Sequence, residues 1–172
     1  ASVRVTTLAD GLERPWSHAF LPDGRMLVTE RPGRLRLVTP DGAVSAPLAG
    51  VPPVFAQGQG GLLDVALDPD YAVNGWVYLS FAEDRGSGTN ATTVMRAKLA
   101  GAALEDAQII FRQQPAVESP AHFGGRLVFG RDGRLFITLG ERAGRQFIER
   151  AQSLDDHFGK IIRIERNGGS PA

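Results

Sequence analysis

His122 is the side chain in this sequence best suited to moving a proton. An imidazole titrates near neutral pH and can take a proton from a hydroxyl during oxidation or hydrolysis. It stands in Ala121-His122-Phe123-Gly124-Gly125-Arg126-Leu127-Val128-Phe129, just ahead of two glycines and an apolar run. The glycine pair permits close backbone approach by a flat ligand or by a neighbouring loop. A structural histidine capping the start of a strand is the competing reading. Two further polar groups hold comparable places. Gln59, in Gly58-Gln59-Gly60-Gly61-Leu62-Leu63-Asp64, offers a donor and an acceptor to a hydroxylated ligand, or else stabilises a glycine turn. Glu141, in Gly140-Glu141-Arg142, follows an apolar strand and brings a carboxylate to the rim, or forms an ordinary surface ion pair.

The other chemical candidates are weaker. His157 beside Asp155-Asp156 has the residue types of a metal ligand set, but no second ligand cluster supports it, so a solvated loop and no metal are expected. His18 precedes an apolar segment, and Pro15-Trp16 reads as a packing anchor rather than a cofactor platform. There is no cysteine, which excludes disulfides, thiol catalysis and thiolate metal sites. No Ser/His/Asp arrangement or dinucleotide fingerprint is present, and the glycine clusters lack the strand-to-helix setting that phosphate binding needs.

The elements that must position these groups are short strands. Apolar runs punctuated by 21 glycines and 11 prolines predict strands at 3–8, 19–21, 26–29, 35–38, 62–67, 76–81, 92–99, 107–111, 126–129, 135–139 and 160–164. Helical spacing of Phe147, Ile148, Ala151 and Leu154 predicts a short helix or irregular loop over 146–154. A unit recurs: apolar strand, Asp-containing turn, second strand ending in Thr or Ser. It reads Phe20-Leu21-Pro22-Asp23-Gly24-Arg25-Met26-Leu27-Val28-Thr29 first and Asp132-Gly133-Arg134-Leu135-Phe136-Ile137-Thr138 last, with a widened copy around Asp68-Pro69-Asp70 between them. The intervals are close to one propeller blade each, for which roughly 40–50 residues is typical. Asp-Gly suits the hairpin because glycine tolerates positive φ and aspartate hydrogen-bonds its own downstream backbone. An all-β propeller with about three four-stranded blades follows, its ring left open. Open sides imply either pairing with another chain or a longer polypeptide, and the second is favoured.

Composition sets outer bounds. With 19 basic and 19 acidic side chains the net charge is zero, which gives no electrostatic case for a nucleic-acid or anionic-membrane partner. Arg14, Arg25, Arg31, Arg34 and Arg36 read as parts of a solvated mixed surface. No apolar run approaches the roughly 20 residues of a membrane span.

Taken together, Arg14-Pro15-Trp16, Phe20-Leu21-Pro22-Asp23, the Gly58–Asp64 stretch, Phe111-Arg112-Gln113, the His122–Phe129 stretch, Leu139-Gly140-Glu141 and Gly159-Lys160-Ile161-Ile162-Arg163-Ile164 resemble the soluble glucose/sorbosone dehydrogenase family, closest to its bacterial aldose sugar dehydrogenase branch. The resemblance implies a six-bladed propeller, with 1–172 as its N-terminal half. It also implies pyrroloquinoline quinone (PQQ) and calcium on the axis, oxidation of aldoses at C1 to lactones, an external electron acceptor, and a periplasmic or secreted location. By motif, His122 would be the general base, Gln59 a sugar contact, and Glu141 the acid that orients His122. Ala121 departs from the polar residue relatives carry there. The quinone-stacking arginine, the calcium ligands and most cofactor contacts of the family would lie downstream. The isolated chain is therefore expected to be inactive, with no metal ligands of its own. A calcium-dependent propeller lactonase or esterase, and a non-catalytic binding propeller, are the alternatives.

Overall fold

The computed structural model describes residues 2–171. Ten strands form three antiparallel sheets in chain order. The first comprises β1 (Pro15–Phe20), β2 (Met26–Glu30) and β3 (Arg34–Val38). The second comprises β4 (Leu62–Leu67), β5 (Trp76–Gly86), β6 (Thr89–Ala100) and β7 (Ala103–Arg112), and the third β8 (Gly124–Phe129), β9 (Leu135–Leu139) and β10 (Ile161–Ile164). Within each sheet consecutive strands pair as neighbours. The first strands of the sheets lie side by side, β1 against β4 and β4 against β8. These are three blades of a β-propeller, with β1, β4 and β8 innermost.

The blades stack because the middle sheet is apolar on both faces. Along β5, Val77, Leu79 and Phe81 point one way and Tyr78, Ser80 and Ala82 the other, as the two-residue pleat requires. The first set packs with Leu27, Leu35, Leu62 and Met95 into the core between the first and second blades. Tyr78 joins Val94, Leu127, Leu135, Ile137 and Ile164 in the core between the second and third. A strand covered on both sides reads as a near-continuous apolar run.

The repeated turns are alike in atomic detail. In the first copy Leu21 N–H donates to Arg25 O at 2.8 Å and Arg25 N–H to Asp23 Oδ1 at 3.1 Å. In the last copy Gly130 N–H donates to Arg134 O at 2.9 Å and Arg134 N–H to Asp132 Oδ1 at 3.1 Å. In the middle copy a four-residue helix, α1 (Tyr71–Asn74), widens the connection.

Four expectations are corrected. Only the middle blade has four strands; beyond β3 a single bridge, Val38 to Val44, stands where a fourth strand would pair. Residues 3–8 form no strand, because an apolar run becomes a strand only where a neighbour pairs with it. The first strand starts at Pro15, where the missing N–H of proline is tolerated. The arginines are not all solvated surface: Arg34 and Arg36 flank Glu30, which is fully buried. The 146–154 segment is α2 (Arg145–Ile148) followed by a 3-10 turn (Glu149–Gln152).

Candidate active site

The innermost strands open at one end onto a cleft of about 280 Å³, lined by Trp16, Arg31, Gln59, Leu63, His122, Phe123 and Gly124. All three blades contribute. Beneath it, polar staples fasten the inner strands. The buried Asp64 accepts from Ser17 Oγ of the first blade at 2.5 Å and from Leu127 N–H of the third at 2.7 Å. Ser80 Oγ receives Asp64 N–H at 2.9 Å and donates to Gly125 O at 2.5 Å. An apolar trio, Leu63, Ala82 and Phe123, with Trp16 and Phe55 against it, closes the floor.

His122 enters the cleft from a backbone in the left-handed region, φ 48°. Such a conformation costs a non-glycine residue on the order of 1 kcal/mol or more, so its surroundings must hold it. Its N–H donates to Gln59 Oε1 at 2.9 Å, and Gln59 N–H donates to Pro120 O at 2.8 Å, so the glycine loop and the histidine loop brace each other. Gly140 is required where β9 ends, because a Cβ there would lie 1.9 Å from His122 O. That close approach brings the next residue, Glu141, onto the imidazole: its Oε1 is 2.5 Å from His122 Nδ1.

The proton positions in this pair follow from the carboxyl. Burial raises the Glu141 pKa, but the hydrogen bond from His122 and those from backbone N–H groups outweigh it and hold the group below the ordinary glutamate value. At neutral pH Glu141 is therefore an acceptor. The neutral imidazole must carry its proton on Nδ1, leaving the Nε2 lone pair free, the form a general base needs.

Arg142 was not singled out by sequence. It is the largest fully buried side chain among the described residues. Its guanidinium donates to Ala121 O and Asn90 O at 3.0 Å each, and to Asn90 Oδ1 and Ser119 O at 2.5 Å each. The Phe123 ring lies 3.9 Å from its Cζ. Among the described residues no carboxylate contacts it, and burial pushes its pKa down to about 10. Arg31 acts similarly on the other loop, donating to the carbonyls of Gly58 and Gly60. No sequence signal separates these two arginines from solvated ones, since all but one of their acceptors are backbone carbonyls.

The remaining candidates divide. Gln59 reaches the cleft, but its carbonyl oxygen is committed to His122, and only its amide nitrogen is without a protein partner among the described residues. Trp16 is both floor and wall, with Arg126 Cζ 4.8 Å above its ring. Gly124 and Gly125 admit neighbouring protein: a Cβ would lie 2.6 Å from Thr138 O and 2.8 Å from Leu63 Cδ1 respectively. His157 lies away from the cleft and is no solvated loop residue. Its Nδ1 accepts from Gln114 N–H at 3.0 Å, its ring packs on Phe111, and burial lowers its pKa. His18 stacks edge-on against Phe20 at 5.4 Å, outside the cleft lining. Among the described residues no group of three His, Asp or Glu side chains converges as a metal site.

The sequence profile of the Glucose / Sorbosone dehydrogenase family matches residues 12–172. The aldose sugar dehydrogenase YliI of Escherichia coli K12 is 45% identical over 174 residues, covering 99% of this chain and 46% of that protein. The crystal structure of the soluble aldose sugar dehydrogenase of E. coli in its apo form superposes with a TM-score of 0.93 at 44% identity, over 99% of this chain and 49% of that one. The PQQ-bound aldose sugar dehydrogenase of Streptomyces coelicolor superposes with a TM-score of 0.78 at 34% identity, over 95% and 48%. The chain thus spans about half the length of these relatives. It belongs to the glucose/sorbosone dehydrogenase family, in its bacterial aldose sugar dehydrogenase branch.

Proposed function

We propose that this chain is the N-terminal half of a six-bladed PQQ-dependent aldose dehydrogenase and carries its general base. The observation that carries the reading is the His122–Glu141 pair, 2.5 Å apart at the mouth of a cleft formed by three blades. His122 Nε2 takes the proton of the C1 hydroxyl. Glu141 keeps the proton on Nδ1 and stabilises the imidazolium that forms. The free amide of Gln59 donates to a sugar oxygen, while its carbonyl holds the His122 backbone. Taking the proton raises electron density at C1, so that bond breaking to hydride becomes easier.

The cleft fits one wall of a flat anionic quinone. Trp16 and Phe123 supply apolar surface, and Arg31, which among the described residues meets only carbonyl acceptors, can face an anionic group. When bound, the quinone supplies the two-electron sink, and the protein supplies alignment. Calcium is left to residues beyond this chain, as are the rest of the cofactor contacts and the electron acceptor. A periplasmic or secreted location accords with the family. No helix among the described residues is long and apolar enough to cross a membrane.

The test is His122→Ala in the full polypeptide supplied with PQQ and calcium. Turnover of aldoses should fall about 10²–10⁴-fold, the usual worth of a positioned base, with quinone binding retained. Unchanged turnover would remove His122 from the mechanism. The isolated 172-residue chain should show no dehydrogenase activity under the same conditions.

A further inference from the structure

We propose that Arg142 is a positioning residue for the base: its guanidinium, clamped on backbone carbonyls of the 119–121 loop, sets the direction and the tautomer of His122. The inference rests on the reading of His122 given above and adds a residue that acts through it.

The geometry is specific. Ser119 O, Ala121 O and the Phe123 ring all meet the guanidinium. The carbonyls of residues 119 and 121 and the ring of Phe123 thus rest on the guanidinium, and His122, between the last two, lines the cleft. The contact is returned, since Ser119 Oγ donates to Arg142 O at 2.6 Å. Arg142 and Ala143 both sit at positive φ, 70° and 57°, a bend that buries Arg142 while its neighbour Glu141 meets the imidazole. One inserted side chain therefore fixes the two segments that carry the base and its carboxylate.

The residue type matters. Asn90 O and Oδ1, Ser119 O and Ala121 O need donors spread in a plane. A guanidinium has five in a rigid fork, whereas a lysine ammonium has three at a point. With every acceptor neutral, the interaction is hydrogen bonding aimed at the backbone and not an ion pair.

The experiment uses the full polypeptide labelled with ¹⁵N-histidine, the His122 signals being assigned by their loss in His122→Gln. At slightly alkaline pH the parent protein should show His122 protonated at Nδ1 and bare at Nε2. Arg142→Met should lose that single tautomer. With PQQ supplied, its kcat should fall about 100-fold with KM within about threefold, as expected when a reacting group is misplaced by about 1 Å. Arg142→Lys should lie between it and the parent, and Asn90→Ala, which removes one acceptor, should lose about tenfold with partial loss of the tautomer. If Arg142→Met does not fold, Arg142→Lys and Asn90→Ala decide the matter. Retention of the Nδ1–H tautomer in both, or full activity in Arg142→Lys, overturns the proposal. The tautomer is read without turnover, so that result does not depend on whether His122 is the base, and the His122→Ala test of that reading is separate.

Discussion

The cores between the blades and the cleft at their inner ends are built on opposite rules. Between blades, aliphatic side chains from regular strands meet at the two-residue period in the clusters around Leu79 and Leu135. At the cleft the backbone is irregular, with His122, Arg142 and Ala143 at positive φ. Order there comes from directed hydrogen bonds: Gln59 to His122, Arg142 to three carbonyl oxygens and an amide, and Arg31 to the glycine loop. Apolar packing is tolerant of exchange among similar side chains, whereas a hydrogen-bonded loop is specified atom by atom. Stability and chemistry should therefore respond to different substitutions.

The sharpest way to break that separation is through the proposed base. His122→Ala should cost about 10²–10⁴ in turnover and leave the thermal midpoint close to that of the parent, because the side chain is half exposed. A large fall in melting temperature would show that the cleft holds the fold together. The converse is Leu79→Ala, at a fully buried position between the first two blades. Denaturant unfolding should show a loss of about 2–5 kcal/mol, the range for such truncations. The imidazole tautomer of the folded fraction should be unaltered.

Glu141→Gln tests the cleft by pH. The carboxyl lies below its ordinary value of 4.5 when folded, so between the two values the unfolded chain binds more protons and stability rises with pH. Its contribution is present above about 4.5 and lost as pH falls through the folded value. The Gln variant should be less stable at neutral pH and show a shallower fall in stability on acidification. Turnover should drop about 10–100-fold, the usual cost of losing a group that orients an imidazole. An unchanged acid limb would show that the pair does not form in solution.

The smallest effect concerns the outer face of the third blade, where Val128 and Ile161 are exposed in this chain. Val128→Thr should change the stability of the isolated chain by no more than about 0.5 kcal/mol. In the full polypeptide, where we propose that a fourth blade covers this face, it should cost about 1–2 kcal/mol. Equal effects in the two contexts would argue against a continuing ring.

The sequence by itself determined the blades. Alternation and Asp-Gly turns placed most strands, because pleat and turn chemistry are local and recur at Asp23 and Asp132 with the same hydrogen bonds. Motif spacing also brought His122, Gln59 and Glu141 forward as candidates. What tertiary structure alone decided is how they meet. The 2.5 Å contact of His122 with Glu141 depends on two loops being pressed together where only glycine fits at 140. Gln59 turned out to brace the histidine with one end of its amide. Arg142 looks like any arginine after a strand, and is central because three of its four acceptors are backbone carbonyl oxygens, which every residue has and no sequence pattern marks. Residues 3–8 carry the pattern of a strand and form none, because pairing needs a neighbour and only the folded chain supplies one.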